Sequence, residues 1–115
     1  MTTLRISENA YACSVTGELD VFTVDSLCDE LAAVAARGGR LVLVDLVSVT
    51  FIDSAGLGLL LAEAARRRSE GGELLVVSDD PRTLRLFDVT GSGRQFRVER
   101  SLANAVEDVA QKLLT

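Results

Sequence analysis

The run Leu41-Val42-Leu43-Val44-Asp45-Leu46, followed closely by Val49-Thr50-Phe51-Ile52-Asp53-Ser54-Ala55-Gly56-Leu57-Gly58-Leu59-Leu60, decides how this chain is read. The first run is nearly unbroken in apolar and β-branched residues, the pattern of an interior strand covered by helices rather than an edge strand. From Leu57 the period changes. Leu57, Leu60, Leu61 and Ala64 recur at helical spacing, and the stripe ends in Arg66-Arg67-Arg68, cations that suit the negative end of a helix dipole.

Working toward the carboxyl terminus, Gly71-Gly72 ends that helix and Leu74-Leu75-Val76-Val77 forms a second interior strand. Asp80 can cap, and Pro81 can open, a short helix to about Asp88. A Gly91-Ser92-Gly93 loop and a short strand bracketed by Phe96 and Val98 follow. Ser101 then opens a terminal helix with a buried stripe of Leu102, Ala105, Val106, Val109 and Leu113.

Toward the amino terminus, Leu4 and Ile6, then Tyr11, Cys13 and Val15, alternate with polar residues as in a hairpin with one wet face. A Gly17-Glu18-Leu19-Asp20 turn leads to a helix carrying Leu27, Leu31, Val34 and Ala35, with Thr23 as N-cap and Gly38-Gly39 as its stop. The expected architecture is one α/β domain over residues 1–115. It is a mixed sheet of about five strands with about four helices packed on it, one layer against another.

The bulk composition excludes several function classes. With 48% hydrophobic residues in 115, a single core can form without metal or disulfide support. The longest apolar run, Ala55 to Ala62, falls far short of the roughly 20 residues that cross a bilayer, and no basic, apolar leader opens the chain. A cytoplasmic location with no membrane contact is expected. Cys13 and Cys28 have no CxxC spacing and no histidine exists, so no metal site is expected and Ser–His–Asp hydrolysis is excluded. The two thiols read as core residues. Before the split after Leu57 there are three Arg or Lys against eight Asp or Glu, and after it nine against nine, so the net charge of −5 lies wholly in the first half. That balance disfavours nucleic acid and favours a partner with a basic face.

The residues with chemical potential sit at the strand-to-helix junction. Asp53 and Ser54 are both preferred N-caps, and from residue type alone either one could simply close the helix. Ala55, Gly56 and Gly58 keep the rim around Ser54 low, and two glycines in a first turn cost on the order of 1 kcal/mol each. Either close helix packing or access for a partner would explain them. If Leu57, Leu60, Leu61 and Ala64 face the sheet, then Ala55, Leu59, Ala62 and Arg66 face outward, leaving Leu59 as the apolar centre of a docking patch.

Phe-Ile-Asp-Ser-Ala-Gly-Leu-Gly, with Val-Leu-Val-Asp-Leu before it and Gly-Glu-Leu-Asp earlier still, resembles the STAS domains of bacterial anti-sigma-factor antagonists. The likeness continues through Gly72-Glu73-Leu74, Arg85-Leu86-Phe87-Asp88 and Thr90-Gly91. The resemblance implies a non-enzymatic protein without cofactor that sequesters an anti-sigma factor and thereby frees a sigma factor. It implies phosphorylation of Ser54 by that anti-sigma factor, acting as a serine kinase, and reversal by a serine phosphatase. It further implies a partner surface of Asp20, Val21, Asp53, Ala55, Gly58, Leu59 and Ala62. Weak self-association is left open. Ala55 stands where many members carry a second Ser or Thr, which makes Ser54 the only acceptor in the motif. Gly91-Ser92-Gly93 lacks the apolar residue that often follows that glycine.

Two readings compete. An acyl carrier also places Asp-Ser at a helix start, but such carriers are all-helical. An aspartyl-phosphate receiver would use Asp45 at the end of a buried strand, yet the acidic pair that would hold its metal is missing.

Overall fold

The computed structural model describes residues 1–114, with side-chain surroundings through residue 111. Its elements are β1 (Thr2–Ser7), β2 (Ala10–Leu19), α1 (Val24–Ala36), β3 (Leu41–Ile52), α2 (Ser54–Ser69), β4 (Glu73–Val77), α3 (Pro81–Thr90), β5 (Arg97–Glu99) and α4 (Leu102–Leu114), with a short 3-10 turn at Ser92–Arg94 before β5. The five strands form one sheet in the order β1-β2-β3-β4-β5. β1 is antiparallel to β2, and every later neighbour is parallel. The sheet is therefore mixed, with four helices packed on it, as the patterning predicts.

The apolar runs are unbroken because both faces of the central strands are covered. Val42, Val44, Leu74 and Val76 face one way, into a core shared with Leu27 and Leu31 of α1 and Leu57 and Leu60 of α2. Leu43, Leu75 and Val77 face the other way, onto Ala105 and Val109 of α4. The expectation of one layer against another is thus corrected, because α4 crosses to the opposite face. That face needs a cover of its own, since Leu41 and Leu43 of β3 and Leu75 and Val77 of β4 present apolar side chains there.

Four local expectations also change. β3 runs on to Ile52 rather than ending at Leu46, because its extension pairs Ser48, Val49, Phe51 and Ile52 with Thr16, Gly17, Glu18 and Leu19. β2 correspondingly continues through the anticipated turn, with register shifts on either side of Gly17, whose φ of 81° is the left-handed conformation of a bulge. α3 extends to Thr90, where Gly91 at φ 72° ends it. Leu102, expected in the buried stripe of α4, is exposed, Val106 is partly buried, and the side chain of Leu113 lies outside the described residues. Leu102 is the first residue of its helix, before the stripe has rotated onto the sheet.

Because β2 to β5 are parallel, their carboxyl ends at Leu19, Ile52, Val77 and Glu99 lie along one edge of the sheet. The loops and helix starts that follow β2, β3 and β4 therefore line the same edge, where α/β folds present their functional groups.

Candidate functional site

The junction of β3 and α2 resolves the choice between its two capping candidates. Asp53 is the N-cap, and its Oδ1 accepts from the Gly56 backbone N–H at 3.0 Å. Its Oδ2 reaches across the carboxyl edge to accept from the Val21 N–H at 3.1 Å, and its own N–H donates to the Leu19 carbonyl at 3.2 Å. One carboxylate thus fixes the start of α2 and ties it to the loop after β2. Ser54, freed from capping, is the first residue of α2; it is exposed, and its hydroxyl has no described partner.

The two glycines of the first turn have different reasons. A Cβ on Gly56 would stand 2.4 Å from the Leu19 carbonyl oxygen, so this position must lack a side chain for α2 to pack against β2. A Cβ on Gly58 would meet nothing within 4 Å, so packing does not demand glycine there. Its effect is to leave the ground beside Ser54 bare.

The loop after β2 is organised by a buried acid. Asp20 is only 8% exposed, and its Oδ1 accepts from the Phe22 N–H at 3.0 Å and the Thr23 N–H at 3.2 Å. These bonds close a turn just before α1. Thr23 occupies the cap position but makes no side-chain capping bond; its hydroxyl donates instead to the Glu18 carbonyl at 2.8 Å. Burial pushes the Asp20 carboxyl up, but hydrogen bonds from Glu18, Phe22 and Thr23 outweigh it and leave the group below its ordinary value. Glu18 moves the opposite way, raised first by its hydrogen bond to Asp20 and then by that neighbour's charge. Asp20 therefore shapes the surface from below.

What it holds out is apolar. Val21 is 59% exposed, Phe22 89%, and Phe51 near the end of β3 54%. An aromatic ring left almost wholly in water costs hydrophobic free energy in the free protein, and rings so placed are the usual anchors of protein interfaces. The sequence reading named Val21 but not Phe22 or Phe51. The available signal was an aromatic residue directly after Asp20-Val21, in a segment too short and polar to bury it.

Along α2, Ala62 is exposed and Ala55 half-buried, as an outward arc requires, but Leu59 is not stranded in solvent. It is partly buried and packs against the core, which corrects the expectation that it centres an outward patch. The reason is that α2 contacts α1 as well as the sheet, so its buried arc is wider than one stripe. The same arc takes in Glu63 and Arg67, 4% and 2% exposed, charged residues three and seven positions after Leu60. Arg67 donates to the Leu31 carbonyl at 2.8 Å and to the Gly39 carbonyl, fastening α2 to the end of α1.

Asp45 serves the strand rather than an acceptor site. Its Oδ2 accepts from the Ser14 hydroxyl at 3.1 Å and its Oδ1 from the Val47 N–H at 3.0 Å, midway along β3 and beside Val77 at the end of β4. No group of metal-binding side chains occurs among the described residues, and no described helix is long and apolar enough to cross a membrane.

The family described as Mlab, STAS domain, matches residues 2–103. The anti-sigma-B factor antagonist of Staphylococcus aureus is 37% identical over 81 residues, covering 70% of this chain and 75% of that protein. That of Bacillus subtilis is 33% identical over 88 residues, covering 76% and 80%. The crystal structure of an anti-sigma factor antagonist from Mycobacterium paratuberculosis superposes with a TM-score of 0.82 at 32% identity, covering 95% of this chain and 93% of that one.

Proposed function

This chain belongs to the STAS domain family, and on that premise we propose that it is an anti-sigma-factor antagonist whose partner choice is switched by phosphorylation of Ser54. It is a regulatory binding protein of the cytoplasm, not an enzyme, and its partners are an anti-sigma factor with serine kinase activity and a serine phosphatase. The observation that carries the switch is the exposed, unengaged hydroxyl of Ser54 at the first position of α2, beside a carboxylate whose two oxygens are already committed.

The docking surface comprises Val21, Phe22 and Phe51 with the first turns of α2. Asp20 and Asp53 set its shape, and Ala55, Gly58 and Ala62 leave room for a partner's backbone. Leu59 contributes its exposed edge only. A phosphoryl group adds about −1.5 to −2 charge at neutral pH, and at a helix N-terminus the domain itself tolerates it. The loss falls on the complex. A partner site shaped to a compact hydroxyl meets added bulk and charge next to Asp53, at a cost of several kcal/mol, or more than about a hundredfold in affinity.

Incubation with a cognate anti-sigma-factor kinase and ATP, followed by mass spectrometry, is expected to place one phosphate on Ser54. Ser54→Ala is expected to bind the kinase and stay unmodified, and Ser54→Asp to remain folded but bind at least about a hundredfold more weakly. Phosphate found consistently at another residue would overturn the assignment.

A further inference from the structure

A second surface lies at the other side of the carboxyl edge, between α3 and β5. An open cleft of about 910 Å³ runs there from Pro81 and Arg100 down to Gly91 and Arg94. Four arginines line it: Arg82, Arg85, Arg94 and Arg100. Arg82 has Asp80 at 3.8 Å, whereas no hydrogen bond or ion pair is described for the guanidiniums of Arg85, Arg94 or Arg100. The carboxylate among the lining residues is Asp88. In a chain of net charge −5, this gathers a third of its 12 cations around one hollow.

The four arginines line one concavity, and the floor beneath them is apolar. Phe87 is buried there, with Leu84 and Val98 half-buried beside it. A low-dielectric wall beside several positive charges strengthens the field at the mouth of the cleft. Guanidiniums present planar pairs of donors that match phosphoryl oxygens, and a cleft of this volume falls within the size of small-molecule sites.

We propose that this cleft binds a small, multiply charged phosphate-class anion, with Arg85, Arg94 and Arg100 as its ligands. The site is separate from Ser54 and does not depend on the phosphorylation switch.

Inorganic tripolyphosphate is the probe, titrated into the intact protein and followed by calorimetry and by backbone amide shifts, with sulfate at matched ionic strength beside it. Saturable one-to-one binding is expected, with shifts concentrated at Arg85, Arg94 and Arg100 and little change at Ser54. Sulfate should bind at least about tenfold more weakly. The triple variant Arg85→Gln, Arg94→Gln, Arg100→Gln, all exposed positions, should lose at least about tenfold, and the triple Arg→Lys variant several-fold, because lysine keeps the charge but not the fork. Equal binding of sulfate, unchanged affinity in either triple variant, or shifts spread over the whole surface would overturn the proposal. So would binding of an acidic polyglutamate peptide in place of tripolyphosphate.

Discussion

The starts of α2 and α3 are built alike and do different things. Each follows a parallel strand at the same edge of the sheet, and each is capped by an aspartate that accepts from the backbone N–H three residues on, Gly56 for Asp53 and Thr83 for Asp80. They diverge in the first helical residue and in how the carboxylate is otherwise used. Asp80 stays local: its Oδ2 also accepts from the Thr83 hydroxyl at 3.0 Å, and Pro81 fills the first position. Asp53 spends its second oxygen on Val21 in another loop, and Ser54 fills the first position with an exposed hydroxyl. One junction is closed upon itself; the other ties two loops together and leaves an exposed hydroxyl on top. A cap is thus a shared structural device, and the two junctions differ in the oxygen left over and the residue that follows.

The comparison can be broken most forcefully at the third helical residue. Gly56→Ala drives a Cβ into the Leu19 carbonyl and should cost about 2 to 4 kcal/mol in urea unfolding. An equivalent change at the closed junction, Thr83→Ala, removes a hydroxyl bond to Asp80 and should cost about 1 kcal/mol. A smaller loss at Gly56 than at Thr83 would contradict the close approach of α2 to β2.

Next in size are the caps themselves. Asp53→Ala loses the cap and the tie to Val21, about 2 kcal/mol together, and should accelerate hydrogen exchange at the Val21 and Phe22 amides. Asp80→Ala should cost about 1 kcal/mol and leave those amides protected. If both variants behave alike, the bridging role of Asp53 is wrong.

Gly58→Ala sharpens the contrast by separating stability from docking. With open space around that position, alanine should stabilise α2 by up to about 1 kcal/mol. The same methyl should weaken anti-sigma-factor binding several-fold in a direct titration. Unchanged affinity would remove Gly58 from the docking surface.

The smallest effect concerns acid. The Asp80 carboxyl lies below its ordinary value, first because the Thr83 hydroxyl donates to it, although partial burial opposes this. A depressed carboxylate stabilises the fold at pH values above its unfolded pKa, and that contribution fades as the pH falls through the lower folded value. The difference in stability between the protein and Asp80→Ala should therefore be constant at neutral pH and shrink in the acid range. A difference that grew with acidification would reverse the sign.

The order of strands and helices, the breaks at Gly38, Gly71 and Gly91, and the place of the Asp53-Ser54 motif at a helix start were all legible in the residues. Each depends on local periodicity, backbone freedom or capping chemistry within a few positions. Ser101 is a further case, its hydroxyl accepting from the Asn104 N–H at 3.1 Å where the pattern places the start of α4.

Other features needed the assembled chain. Asp53 and Ser54 are equivalent caps by residue type; in space Asp53 takes the Gly56 N–H and also the distant Val21 N–H, and Ser54 is left exposed. Leu59, Glu63 and Arg67 fall inside because α1 lies alongside α2, which a single helix's pattern does not reveal. Phe22 stands in water although Asp20, two residues before it, is buried and holds its backbone N–H. Residue order sets which shapes each segment adopts, since those preferences act over one or two turns. Exposure and leftover hydrogen-bonding capacity belong to the tertiary structure, because they depend on which distant segment comes to rest against each side chain.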